Sequence, residues 1–238
     1  VLAVTVVLKE MLVEAGARRE RVHVIGNGAA PERYDAAART AAAALRSAWQ
    51  LPPQAFVLGF VGYMRPWHRL ELVLDAMQAQ PLRDLVLVLI GEGPALVPLQ
   101  ERAAALGLTD RLRVLGAVPA EQLPAHVLAL DGALIPAINE YASPLKLFDS
   151  LAAGVPTLAP DQPNLRETVR HGENGLLFRP GDGEQLALQL VRLVADREFA
   201  QALGARGRDS LEREGHTWAN NAERVIAIYE SLAAGARR

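Results

Sequence analysis

Cysteine is absent from all 238 residues, so the chain has no disulfide, no thiol nucleophile and no cysteine-ligated zinc or iron–sulfur site. Lysine is nearly absent: Lys9 and Lys146 stand against 23 arginines, a bias that gives weight to a lysine surviving inside a motif. No apolar run reaches the roughly 18 residues that a membrane span needs. No basic stretch precedes the apolar opening VLAVTVVLKEML, which speaks against a signal peptide and sets the expectation of a cytoplasmic protein. A formal charge of −2 argues against nucleic acid as the main partner. There is no P-loop, no nucleophile elbow, no Asp-x-Asp to hold a metal diphosphate and no two histidines at metal-ligand spacing. The chain opens on Val1 rather than Met and is expected to be a piece of a longer one.

What is present is half apolar and 22% charged, the balance of a folded domain with a sizeable core. Short Leu- or Val-rich runs at residues 57–61, 85–90, 112–115, 132–135, 157–159 and 176–178 alternate with helical periods at 70–79, 95–106, 121–130, 145–153, 164–170 and 184–195. Several runs, such as LVLVLI, are apolar on both faces, as buried parallel strands are. The alternation predicts an α/β, Rossmann-like, doubly wound parallel sheet of six strands with helices on both faces. Residues 22–25 form a further candidate strand, and helical periods also occupy 6–15, 35–50, 198–213 and 219–233. Ligands on such sheets bind outside the carboxyl ends of the strands, so the following loops carry the candidates.

The loop after the first core strand, GYMRPWHRL, offers Gly62 for close backbone approach and Arg65 and His68 as polar groups at a helix start, a place for an anion. The next, GEGPAL, begins like a dinucleotide fingerprint at Gly91, but Leu96 stands where the third glycine belongs and no acidic ribose partner follows. The segment NEYASPLKLFDSLAAG is the richest. Ser143 before Pro144 reads as an N-cap followed by the first helical residue, and Lys146 and Asp149 then fall three apart on one helix face. A cation, an acceptor and free backbone N–H groups at the open end of a sheet suit a phosphate and a ribose diol. His23, His126 and His216 read as surface or packing residues, and His171 before Gly172 as a helix-end cap.

Taken in order, the landmarks VHVIGNGA, FVGYMRPWH, LVLIGEGP, RVLGAVP, SPLKLFDSLAAGVPTLAP, GENGLLFRPGD and HTWANNAERVIAIYESL resemble the nucleotide-sugar-binding half of the family 4 glycosyltransferases of the GT-B fold, over residues 22–232. The resemblance implies a retaining, metal-independent hexosyltransferase that uses a UDP- or GDP-sugar and no cofactor. Its acceptor would be a glycan, a lipid or a small-molecule hydroxyl. In that family an arginine and a lysine of the first loop meet the diphosphate. Here the arginine place holds Tyr63, with Arg65 nearby, and the lysine place falls on His68, with Arg69 at the following glycine. Asp149 falls on the second acidic residue of the family's Glu–seven–Glu motif and is expected at the ribose. Tyr141 stands at the first place with Glu140 beside it, and Ser143, Pro144, Leu145 and Lys146 replace a glycine-rich turn. Backbone around Gly116 and Val118 would meet the base.

The resemblance also divides the chain into residues 1–33, the end of an N-terminal acceptor-binding domain, residues 34–216, the donor domain, and residues 217–238, a helix crossing back. Catalytic groups, and any peripheral membrane contact, then belong to the acceptor domain. The crossing helix should expose an apolar stripe that drives self-association. A stand-alone nucleotide-sugar-binding module and a related GT-B epimerase or phosphorylase are the alternatives. If His68 lies against a diphosphate, its bound-state pKa is raised and affinity weakens as pH rises. The reading requires Arg65, Lys146 and Asp149 to share one rim of the sheet.

Overall fold

The computed structural model describes residues 1–235. The chain starts with a small unit of its own, in which β1 (Leu2–Ala3) and β2 (His23–Val24) pair in parallel around α1 (Val6–Glu14). The helix α2 (Ala36–Ala48) follows, capped by the Asp35 carboxylate on the Ala38 N–H.

Six strands then make the main sheet: β3 (Phe56–Val61), β4 (Leu85–Ile90), β5 (Leu112–Gly116), β6 (Gly132–Leu134), β7 (Thr157–Pro160) and β8 (Leu176–Phe178). All pair in parallel in the order β5-β4-β3-β6-β7-β8, as the apolar runs predicted. The two faces are sorted residue by residue along the strands. Phe56, Leu58 and Phe60 of β3 and Leu85, Leu87 and Leu89 of β4 enter one core, while Val57, Val86, Val88 and Ile90 enter the other. The first core is closed by α3 (Glu71–Ala76), α4 (Leu96–Ala105) and α8 (Gly183–Ala195). The second is closed by α5 (Leu123–Leu128) and α6 (Leu145–Ala153), with α2 packed on α5. The short α7 (Pro163–Arg166) follows β7. The long α9 (Arg197–Arg213) gives Leu203 to one core and Leu211 to the other, and α10 (Trp218–Gly235) runs back to the N-terminal unit. There Trp218 N–H reaches Ala29 O, Asn221 Nδ2 reaches Gly26 O and Arg224 reaches Val24 O.

Several helices are shorter than their apolar periods. The period at 70–79 yields α3 only as far as Ala76, where the backbone tightens to Gln78 N–H on Asp75 O and Ala79 N–H on Ala76 O; ahead of α3, the 3₁₀ turn Pro66–His68 ends at Arg69, left-handed at φ 55°. The period at 164–170 stops at Arg166; further on, the Arg170 N–H turns to the Asn174 side chain. His171 caps no helix; its Nδ1 accepts from Leu177 N–H and fastens the turn leading into β8. His126 is a packing residue, as read, with its ring beside Trp49.

The strand order reverses at β3, which has β4 on one side and β6 on the other. Chain leaving the carboxyl ends of β3 and β6 therefore goes in opposite directions and opens a crevice between them, the place where such sheets bind ligands.

Candidate functional site at the carboxyl ends of the strands

The floor of the crevice is backbone. Beyond the strands, Gly62 N–H donates to Ile90 O at 2.9 Å, Met64 N–H to Glu92 O at 2.7 Å and Gly91 N–H to Gly116 O at 2.7 Å. The loops after β3, β4 and β5 are thus hydrogen-bonded to one another as a shelf. Gly91 is required there: its φ is 131°, and a Cβ on it would lie 2.2 Å from the Gly62 carbonyl oxygen. Val118, half-buried, packs the loop beyond Gly116 against the second core.

The first wall is the loop after β3. Its 3₁₀ turn is closed by the Arg65 N–H donating to His68 Nδ1 at 3.1 Å. The His68 ring is buried, edge-on to Phe60 and beside Trp67. Burial, and then the Lys146 charge, push its pKa down to about 4, so His68 is neutral at neutral pH and acts here as a structural acceptor. The Arg65 side chain is exposed, lies 5.0 Å over the Tyr63 ring and has no carboxylate partner among the described residues. It lines a small cavity shared with Glu71 and Arg102 on the α4 side.

The opposite wall is the start of α6. The helix begins one residue later than the sequence suggested: Pro144 is the N-cap and Leu145 the first helical residue. Ser143 does not cap it, because its hydroxyl accepts from Asn27 N–H at 3.3 Å and its carbonyl from Asn27 Nδ2 at 2.6 Å. The N–H groups of Leu145 and Lys146, at the positive end of the helix, have no partner among the described residues. The Lys146 ammonium sits 3.9 Å over the Phe60 ring, and a Cβ on Gly62 would come within 3.4 Å of its Nζ. No carboxylate meets it among the described residues, and burial lowers its pKa to about 8. Withdrawing a charge from water without a counter-ion is costly, which marks the half-buried Lys146 as a candidate for meeting a ligand's counter-charge.

Asp149, one turn on, does not pair with Lys146. Its Oδ1 accepts from the Tyr34 hydroxyl at 2.8 Å. Burial raises the Asp149 pKa, while the Tyr34 hydrogen bond and the Arg33 charge pull it down. Glu140 is exposed in the loop after β6. That loop is pinned by the Asn164 amide on Asn139 O and Ala142 O, at 3.1 and 2.7 Å, and by the Thr5 hydroxyl on Tyr141 O at 2.8 Å.

Gly62, His68 and Lys146 are therefore brought together, with Gly91 and Gly116 on the shelf beside them. Arg65 stands at the edge, turned toward Tyr63. Tyr34, Arg33, Asn27 and Asn164 were not singled out from the sequence. Their roles come from contacts across more than 20 and up to 116 residues, which no local motif carries.

The model for "Glycosyl transferases group 1" matches residues 42–210. The chain belongs to that glycosyltransferase family. Within it, this glycosyltransferase chain is 31% identical over 226 residues to a D-inositol 3-phosphate glycosyltransferase of Nocardia farcinica, covering 91% of this chain and 49% of that protein. It is 30% identical over 206 residues to a 2-deoxystreptamine glucosyltransferase of Streptomyces kanamyceticus, covering 84% and 52%. The glycosyltransferase chain thus spans about half the length of these curated relatives. Its fold is that of Anabaena HepE, crystallised in complex with UDP, with a TM-score of 0.87 at 21% identity over 97% of this chain and 63% of that one.

Proposed function

We propose that this chain is the donor-binding half of a retaining, metal-independent hexosyltransferase that holds a UDP- or GDP-sugar at the crevice between β3 and β6. The observation that carries the reading is the half-buried Lys146 ammonium, without a counter-anion among the described residues, beside Gly62 and the unpartnered N–H groups of α6. Two phosphates fit that chemistry: a point cation, two amides at a positive helix end and the Arg65 guanidinium at the rim. As the sugar departs, charge grows on the diphosphate. Preorganised donors of this kind each contribute about 3–4 kcal/mol to lowering such a barrier, which is the work a divalent ion would otherwise do. Asp149 takes the ribose hydroxyls, and backbone around Gly116 and Val118 takes the base. Glu140, Ser143 and Pro144 border the sugar.

In the same reading residues 1–33 close an N-terminal acceptor-binding domain, residues 34–216 are the donor domain and the segment from 217 onward crosses back. The acceptor, the catalytic groups and a cytoplasmic location belong to this proposal. No helix among the described residues is long and apolar enough to cross a membrane.

Calorimetric titration of the chain with UDP and GDP in the presence of a chelator tests the reading. Binding of one of them at micromolar concentration, without metal, is the expected outcome. No binding of either below the millimolar range would overturn it.

A further inference from the structure

The segment leading into the donor domain touches the site three times. Asn27 holds the turn before α6 through Ser143, and Arg33 donates to the Ala120 carbonyl in the loop after β5. The Tyr34 hydroxyl donates to Asp149 Oδ1 at 2.8 Å. Tyr34 is 2% exposed and belongs to the second core, where a phenylalanine ring would fill the same space. Burying a hydroxyl costs free energy unless it is bonded, and Asp149 is the partner this one has. Asp149 Oδ2 has no partner among the described residues. Resting on the donor-site reading above, we infer that Tyr34 is the positioning residue for ribose recognition: it fixes the Asp149 carboxylate by one oxygen and leaves the other to accept from a ribose hydroxyl.

The physical need is plain. An aspartate in a half-buried setting drifts toward its neutral form and between rotamers. A neutral carboxyl offers a donor where the diol needs an acceptor. The phenol supplies one hydrogen bond that favours the ionised form and one orientation. Arg33, on the same segment, is the remaining charged group acting on Asp149, and Lys146 on α6 is turned away toward Phe60.

The test compares the full chain with Tyr34→Phe, which keeps the ring. The probes are UDP or GDP, whichever the wild type binds more tightly, its 2′,3′-dideoxy counterpart and inorganic diphosphate, each titrated from pH 5 to 8. Tyr34→Phe should weaken the nucleotide about tenfold, the equivalent of one net hydrogen bond, and the loss should grow as pH falls. Affinity for the dideoxy nucleotide and for inorganic diphosphate should not change. Equal nucleotide affinity in both proteins across the pH range overturns the role of Tyr34 alone. So does an equal loss for all three probes, the mark of a merely structural residue. A wild type that binds neither nucleotide overturns the donor-site reading, and this inference with it.

Discussion

Lys146 is a half-buried charge whose partial burial opposes the fold. Replacing it with methionine removes an unpaired ammonium and keeps the apolar stem over Phe60. Lys146→Met should therefore leave the thermal midpoint unchanged or higher while weakening UDP or GDP about a hundredfold, read by differential scanning fluorimetry and calorimetry. Its titration sets a pH dependence. Lys146 in the free chain has a pKa of about 8. A bound diphosphate raises it, so binding takes up a proton between the free and bound values, and affinity is constant below about 8 and falls above it. From the sequence His68 was the group expected to titrate against a diphosphate. In the unliganded chain it is neutral and already accepts the Arg65 N–H. His68 instead leaves its mark on stability. Its folded value of about 4 lies below the ordinary 6.5, so the unfolded chain binds more protons between those limits. Stability is complete above pH 6.5 and is lost as pH falls toward 4, by up to about 3 kcal/mol. His68→Asn, which retains an acceptor, should flatten that slope in urea denaturation at pH 4.5 and 7. The lysine was legible in the sequence because it is one of two in an arginine-rich chain, inside a mostly apolar helix. The state of His68 was not, because it depends on Phe60 and Lys146, which meet it only in the folded chain.

At the scale of elements, the apolar strands were legible because burial on both faces leaves no other pattern, and their parallel order followed from the alternation with helices. Helix starts were less so. Ser143 has the chemistry of an N-cap, but Asn27 engages it from 116 residues away and the helix begins after Pro144. α3 stops at Ala76, short of its period, where Gln78 and Ala79 turn their N–H groups to carbonyls three residues back, and Arg69 ahead of it is left-handed, a conformation that an arginine adopts at a cost of about 1 kcal/mol or more. The shelf formed by the loops after β3, β4 and β5 leaves no slack at Gly91. Its φ of 131° and the 2.2 Å approach of a Cβ to the Gly62 carbonyl make Gly91→Ala destabilising by about 2 kcal/mol or more, measured in urea.

For the molecule as a whole, α10 leaves an apolar face in solvent, as the sequence indicated. Ile226, Tyr229 and Leu232 are 57%, 71% and 60% exposed, while Asn221 and Arg224 tie the helix to the segment around β2. These side chains contribute little to this fold, so Ile226→Glu with Tyr229→Glu should change unfolding free energy by less than about 0.5 kcal/mol. We propose that the stripe drives self-association; analytical ultracentrifugation should then show the chain associating and the double variant associating less. Such a stripe is readable from helical periodicity alone. The Tyr34–Asp149 contact is not, because the sequence does not say that residues 115 positions apart will touch.

The near-absence of lysine leaves the chain two side-chain amines, Lys9 and Lys146, beside its α-amino group. Burial lowers the Lys146 pKa to about 8, so near that pH it carries a free lone pair far more often than an ordinary lysine, of which roughly one in 250 does. An acylating reagent that reaches the crevice would tag Lys146 ahead of Lys9. Whatever anion occupies the crevice would be seen as protection of a single peptide.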